Sequence, residues 1–97
     1  MKVAVRWSDA AIEDLHQIYD WTKQTRTGSA AKQILRRLRA RANILRKMPD
    51  SGRPGQVAGT RELIEPPFVI AYRVDPPTAN VEILRVLHGA RQWPGEL

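Results

Sequence analysis

The chain contains no cysteine. Disulfides, thiolate nucleophiles and cysteine-held metals are therefore excluded, and a reducing compartment suits it. No apolar run approaches the roughly 18 residues that a membrane-spanning helix needs. The opening Met1–Trp7 meets charge at Lys2 and Arg6 too early for a secretory leader. A cytoplasmic location without a membrane partner is expected. There is no glycine-rich phosphate cradle, no HExxH and no Cys/His metal spacing, so neither a cofactor nor a metal is expected. The only histidines are His16 and His88. Carboxylates offer no convincing acid–base pair: Glu13 and Asp14 are adjacent on a predicted helix and point in different directions, which makes a solvated face their expected role.

Acid is scarce where base is dense. Residues 23–61 hold eleven bases (Lys23, Arg26, Lys32, Arg36, Arg37, Arg39, Arg41, Arg46, Lys47, Arg53 and Arg61) against the single acid Asp50, a local excess of +10 in a chain whose net charge is +6. Residues 1–22 run the other way, with Asp9, Glu13, Asp14 and Asp20 against Lys2 and Arg6. A field of this kind attracts polyanions: nucleic acid, a ribonucleoprotein or an acidic protein.

Ninety-seven residues suit one domain, 1–97, with a modest core. Valines 3 and 5 alternate in a short strand over 2–6. Ser8 stands at an N-cap position, and Ala11, Ile12, Leu15, Ile18, Tyr19 and Thr22 recur at helical spacing, predicting a first helix over about 9–24. Ser29 is the expected cap of a second helix. In it Ala31, Ile34, Leu35, Leu38, Ala42 and Leu45 share one arc, bordered on both sides by Arg and Lys, and Met48-Pro49 ends it. Residues 50–59 read as an ordered loop. Three strands follow, Thr60–Ile64, Phe68–Val74 and Val81–Leu87, separated by Pro66-Pro67 and Asp75-Pro76-Pro77. The expected fold is α+β: a short N-terminal strand, a two-helix hairpin and a three-stranded antiparallel meander in one curved sheet.

The candidate chemistry lies on that sheet. Strict alternation puts Val81, Ile83, Arg85 and Leu87 on one face of the last strand, with Arg85 among apolar neighbours. It is either a cation held for phosphate or an arginine paired with Glu62 or Glu82. Arg61 opens the first meander strand, where a bridge to Glu62 or Glu65 is the plainer role. His88 could move protons near neutral pH, although a histidine at a strand end more often packs or caps. Arg91 and Trp93 could stack on a base, and Trp93 could equally close the core. Trp7 and Trp21 are expected in the core or against a partner.

Taken in order, Gly59-Thr60-Arg61-Glu62-Leu63, Phe68-Val69-Ile70-Ala71-Tyr72-Arg73-Val74 and Ile83-Leu84-Arg85-Val86-Leu87-His88-Gly89-Ala90-Arg91-Gln92-Trp93-Pro94 resemble the C-terminal half of RelE/ParE toxins of type II toxin–antitoxin systems. The likeness extends upstream to the Gly52-Arg53 turn and to the Ser8–Tyr19 helix. The resemblance implies the same strand–helix–helix–meander fold and a cognate acidic antitoxin whose flexible tail wraps the toxin, with a hetero-oligomer as one outcome. It implies one of two activities. The arginine-rich second helix and the His-Gly-Ala-Arg-Gln-Trp ending look like the ParE branch, the plasmid-stabilisation proteins that inhibit DNA gyrase without catalysis. The alternative is a RelE-like, metal-independent endoribonuclease that cleaves mRNA on the ribosome. In that case Arg61 and Arg85 would hold phosphate and His88 would replace the late tyrosine of several members, which has no match after Tyr72. Arg61, Arg73, Arg85, Arg91 and Trp93 are the candidates for target or nucleic-acid contact. Leu15, Tyr19, Arg36, Arg37 and Arg41 are the candidates for antitoxin contact. A third reading is a simple nucleic-acid-binding module that uses the basic second helix.

Overall fold

The computed structural model describes residues 3–89. In chain order the elements are β1 (Val5–Trp7), α1 (Asp9–Thr25), α2 (Gly28–Asn43) with a 3-10 turn at Ile44–Arg46, β2 (Arg53–Pro54), β3 (Thr60–Glu65), β4 (Phe68–Val74) and β5 (Val81–His88). They form a five-stranded sheet in the order β1-β5-β4-β3-β2. The meander β3–β4–β5 is antiparallel as expected. β1 lies parallel to β5, with Val5 opposite Val81 and Trp7 opposite Ile83. No helix among the described residues is long and apolar enough to cross a membrane.

The helices begin where side chains satisfy their first amides. The Ser8 hydroxyl accepts from Ala11 N at 3.1 Å and donates to the Leu84 carbonyl at 3.0 Å. One residue thus starts α1 and ties it to β5. The cap of α2 is Thr27 rather than Ser29: its hydroxyl accepts from Ala30 N at 3.0 Å, and Ser29 lies inside the helix. The reason is the brevity of the link. The Arg26 N–H returns to Thr22 O at 2.8 Å, closing α1, and only Arg26 and Thr27 separate the helices.

Both helices cover one face of the sheet. The core there joins Ala11, Leu15, Leu38, Ala42 and Leu45 to Leu63, Phe68, Ile70, Tyr72, Val81, Ile83 and Val86. On the other face Ala71 and Leu87 form a smaller cluster with Val57. That division corrects the strict alternation expected of the last strand. Tyr72 pairs with Ile83 and Ala71 with Arg85, so Leu84 is an extra residue, a bulge. Beyond it the parity shifts by one, sending Val86 into the main core and Leu87 to the opposite face.

Residues 50–59 also hold more order than a loop. Arg53 and Pro54 pair with Glu62 and Arg61 as an edge strand, a position that tolerates proline. Tyr72, fully buried, stakes this segment down: its hydroxyl accepts from Gly52 N at 2.9 Å and donates to Pro49 O at 2.8 Å. A Cβ on Gly52 would stand 2.6 Å from that hydroxyl and 2.8 Å from Glu62 O, so only glycine fits. Gly59, at φ +82°, makes the left-handed turn into β3.

Candidate functional site

Arg85 sits just past the bulge on β5, half-buried against α1. Its Nε and Nη2 donate to the Asp14 carboxylate at 2.8 and 3.0 Å. Asp14 also accepts the Val86 amide at 2.9 Å. The carboxylate and the guanidinium side chains are 7% and 15% exposed. This corrects two expectations. Asp14 is not on a solvated face, and the partner of Arg85 is neither Glu62 nor Glu82. Glu13, next to it, is exposed, as expected. A bidentate pair removed from water requires both members, so Arg85 is committed to joining α1 to β5. A signal for Asp14 existed in the sequence: it lies three residues after Ala11 and four before Ile18, on the border of the apolar stripe.

Arg61 lies on β3, across β4 from β5. Its Nη1 donates to Gly52 O at 2.8 Å and to Asp50 O at 3.3 Å, and its Nε stands 3.8 Å from the Asp50 carboxylate. Glu62 and Glu65, its expected partners, bind Arg53 and Arg37 instead. Arg61 lines a cavity of about 430 Å³ with Asp50, Pro54, Gly59, Thr60, Val74 and Pro76.

Arg73 follows Tyr72 and projects from the opposite face of the sheet. It donates to Glu82 at 2.7 Å, while Arg6 reaches the other oxygen of that carboxylate at 3.3 Å. The Arg73 hydrogen bond, seconded by Arg6, holds the Glu82 carboxyl below the usual carboxylate range. These three residues, with Asp75 and Asn80, line a cavity of about 490 Å³.

His88 closes β5 and is exposed, its ring edge-on to Phe68 at 6.1 Å between centroids. It borders a third cavity of about 240 Å³ with Trp21, Thr22, Arg26, Ile34, Arg37 and Phe68. Trp21 is 63% exposed there, so it belongs to the surface rather than the core. Thr22 is fully buried, and among the described residues its hydroxyl has no hydrogen-bond partner.

The proposed ribonuclease residues are therefore not brought together. Arg61 is opposite Tyr72 across one edge of β4, and His88 is opposite Phe68 across the other. Those partners are four residues apart, about 13 Å along the strand. Arg85, between them in register, is turned onto α1. Arg91 and Trp93 lie outside the described residues. Among the described residues no three His, Cys, Asp or Glu side chains gather as a metal site.

The expected antitoxin residues divide between two borders. Leu15 is buried in the core and forms the floor of a shallow groove of about 240 Å³ between the helices and β1, lined by Trp7, Ile12, His16, Leu35 and Arg39. Tyr19 is half-buried one helical turn further along α1, and Arg36 is exposed on α2. Arg37 and Arg41 lie on the other border of α2, where Arg37 binds Glu65 at 2.9 Å and Arg41 donates to Ile64 O at 3.2 Å. Ile12 is 41% exposed at the groove, a large apolar side chain left to solvent.

Over residues 5–93 the sequence matches the family described as the ParE toxin of the type II toxin–antitoxin system parDE. It is 35% identical over 92 residues to Y4kP of Sinorhizobium fredii, covering 93% of this chain and 92% of that one. To Toxin RelE2 of Caulobacter vibrioides it is 33% identical over 87 residues, covering 90% and 96%. Among solved structures, a chain of the chromosomal ParDE system of Pseudomonas aeruginosa superposes with a TM-score of 0.81 at 27% identity, covering 89% of this chain and 95% of that one. A chain of the RelBE2 toxin–antitoxin complex of Mycobacterium tuberculosis gives 0.70 at 26% identity, covering 91% and 99%. The isolated RelE toxin of Escherichia coli, at 9% identity and a TM-score of 0.59, shares the fold.

Proposed function

The chain belongs to the ParE toxin family of type II toxin–antitoxin systems, and on that premise we propose that it disables DNA gyrase by binding it, without catalysing a reaction. The observation that carries this reading is the dispersal of Arg61, Arg85 and His88. Cleavage of RNA needs phosphate-charge stabilisation and proton transfer within hydrogen-bond reach of one reacting centre. Here one arginine grips backbone carbonyls, one grips a buried aspartate, and the histidine stands about 13 Å along the sheet from the first. Such an arrangement suits a rigid binding surface better than an active site. The test compares two reactions of the purified toxin: supercoiling by gyrase, and translation with mRNA ends mapped on the ribosome. Inhibited supercoiling with intact mRNA is expected. Cut mRNA with unaffected gyrase would overturn the reading.

The same premise supplies a cognate antitoxin, since the solved relatives include toxin–antitoxin complexes. The groove over Leu15 suits it. Its walls are apolar at Trp7, Ile12 and Leu35, and its rim carries Arg39. An acidic, amphipathic segment would bury the exposed Ile12 while meeting that charge.

A further inference from the structure

The outward face of α2 lies outside the core and meets the groove only at Arg39, on its rim. Lys32, Arg36, Arg39 and Asn43 fall within an arc of about 60° at 100° per residue. Arg46 and Lys47 extend the row through the 3-10 turn. All six side chains are exposed. Residues 28–49 contain no acid at all. Among the described residues none of the five cations has a carboxylate partner; Arg46 bonds only Asn43. The other cations of α2 behave differently, with Arg37 and Arg41 bound to β3. Like charges one turn apart, such as Lys32 with Arg36, oppose helix formation.

We propose that this ridge is a binding surface for the phosphate backbone of duplex DNA. Five cations run along about 20 Å of helix. The rest of the face is polar: Ser29, Gln33 and Asn43 add hydrogen-bond donors, and no large apolar side chain is exposed within the row to anchor a protein partner, Met48 following its last cation, Lys47. A phosphate backbone needs no such anchor, because its contacts are charge and hydrogen bonds. A single helix, about 10–12 Å across, also fits the major groove, about 12 Å wide. The contacts proposed are to phosphate, so binding is expected to be independent of base sequence.

The test measures binding of the purified chain to a labelled 20-base-pair duplex by fluorescence anisotropy between 50 and 200 mM salt, with no gyrase present. Its outcome is therefore separate from that of the supercoiling assay. Release of counterions from five phosphates predicts a slope of about −4.5 in log K against log salt, or about a 500-fold loss over that range. Lys32→Gln/Arg36→Gln/Lys47→Gln leaves two cations and reduces the loss to about 12-fold. Arg6→Gln, an exposed change on the sheet, leaves the slope alone. Circular dichroism verifies that each variant is folded. A labelled 20-residue polyglutamate peptide serves as the acidic-polypeptide arm. Absence of duplex binding at 50 mM salt, or a slope unchanged in the triple variant, overturns the proposal. Loss of the peptide with retention of the duplex also overturns it and assigns the ridge to an acidic protein.

Discussion

Replacing Asp14 by alanine removes a carboxylate that is 7% exposed and serves three donors: Nε and Nη2 of Arg85 and the amide of Val86. Breaking a buried pair by deleting one member costs about 3–5 kcal/mol. A domain of this size has about 5–15 kcal/mol of stability in total. The expected loss is thus a large share of it. At about 4–8 °C per kcal/mol, the melting temperature falls by at least about 12 °C. Urea unfolding is the appropriate assay, with the midpoint shifting and the slope m unchanged. Asp14→Leu combined with Arg85→Met recovers part of the loss, because the guanidinium no longer requires a counter-charge. What remains is about 1–3 kcal/mol for the Val86 amide. A single Asp14→Ala variant within about 1 kcal/mol of the parent would refute the reasoning, since it would mean that water already screens the pair.

Tyr72→Phe takes a hydrogen-bond partner from both Gly52 N and Pro49 O and is expected to cost about 1–3 kcal/mol, with faster amide exchange at Gly52. Burial pushes the Tyr72 phenol above its usual 10.0, so the folded state holds that proton more tightly than the unfolded chain does. Its contribution is complete below pH 10 and is lost as pH rises through the folded value, and Tyr72→Phe should flatten that alkaline decline in a pH series of melts. Ile12→Asp places a charge at the apolar groove and should weaken antitoxin binding at least about 10-fold by titration calorimetry, about 1.4 kcal/mol. Its melting temperature should stay near the parent's, because the side chain is 41% exposed. His88→Ala should leave gyrase inhibition within about 3-fold, because the ring packs on Phe68 and no proton transfer is asked of it; abolition of toxicity together with lost mRNA cleavage would return the histidine to catalysis.

The regular parts of this fold were legible because their periods are strong. Apolar spacing gave both helices to within a few residues, and the proline pairs marked both turns of the meander. Legibility failed where one residue's position depends on a distant segment. The bulge at Leu84 cannot be seen in an alternating run, since Val-Glu-Ile-Leu-Arg-Val-Leu reads equally well straight. Asp14 reads as solvated because isolated carboxylates belong in water, and its partner is 71 residues away. Arg53 and Pro54 look like loop until β3 offers them an edge. Ser29 is the cap that the sequence suggests, and Thr27 takes that place because only Arg26 and Thr27 link the two helices. At the candidate site the residue types were visible, and their separation was not. Arg61, Arg85 and His88 are close enough in strand order to suggest a cleft; the register separates Arg61 from His88, and the pair with Asp14 commits Arg85 to α1.

The pairing of β1 with β5 has a consequence for how the molecule comes into being. Ser8 and Leu84, bonded to each other, are 76 residues apart in the chain. At about 5–20 residues per second, a ribosome needs roughly 4–15 seconds to travel from one to the other. Through that interval Val5 and Trp7 have no strand to lie against, Ser8 has no carbonyl to meet, and the closure of the sheet waits on its most distant contacts, which also makes folding slow. A nascent copy therefore lacks its last strand, and with it the core contacts of Val81, Ile83 and Val86, until synthesis is nearly complete. The sheet can close only once β5 is available to lie between β1 and β4.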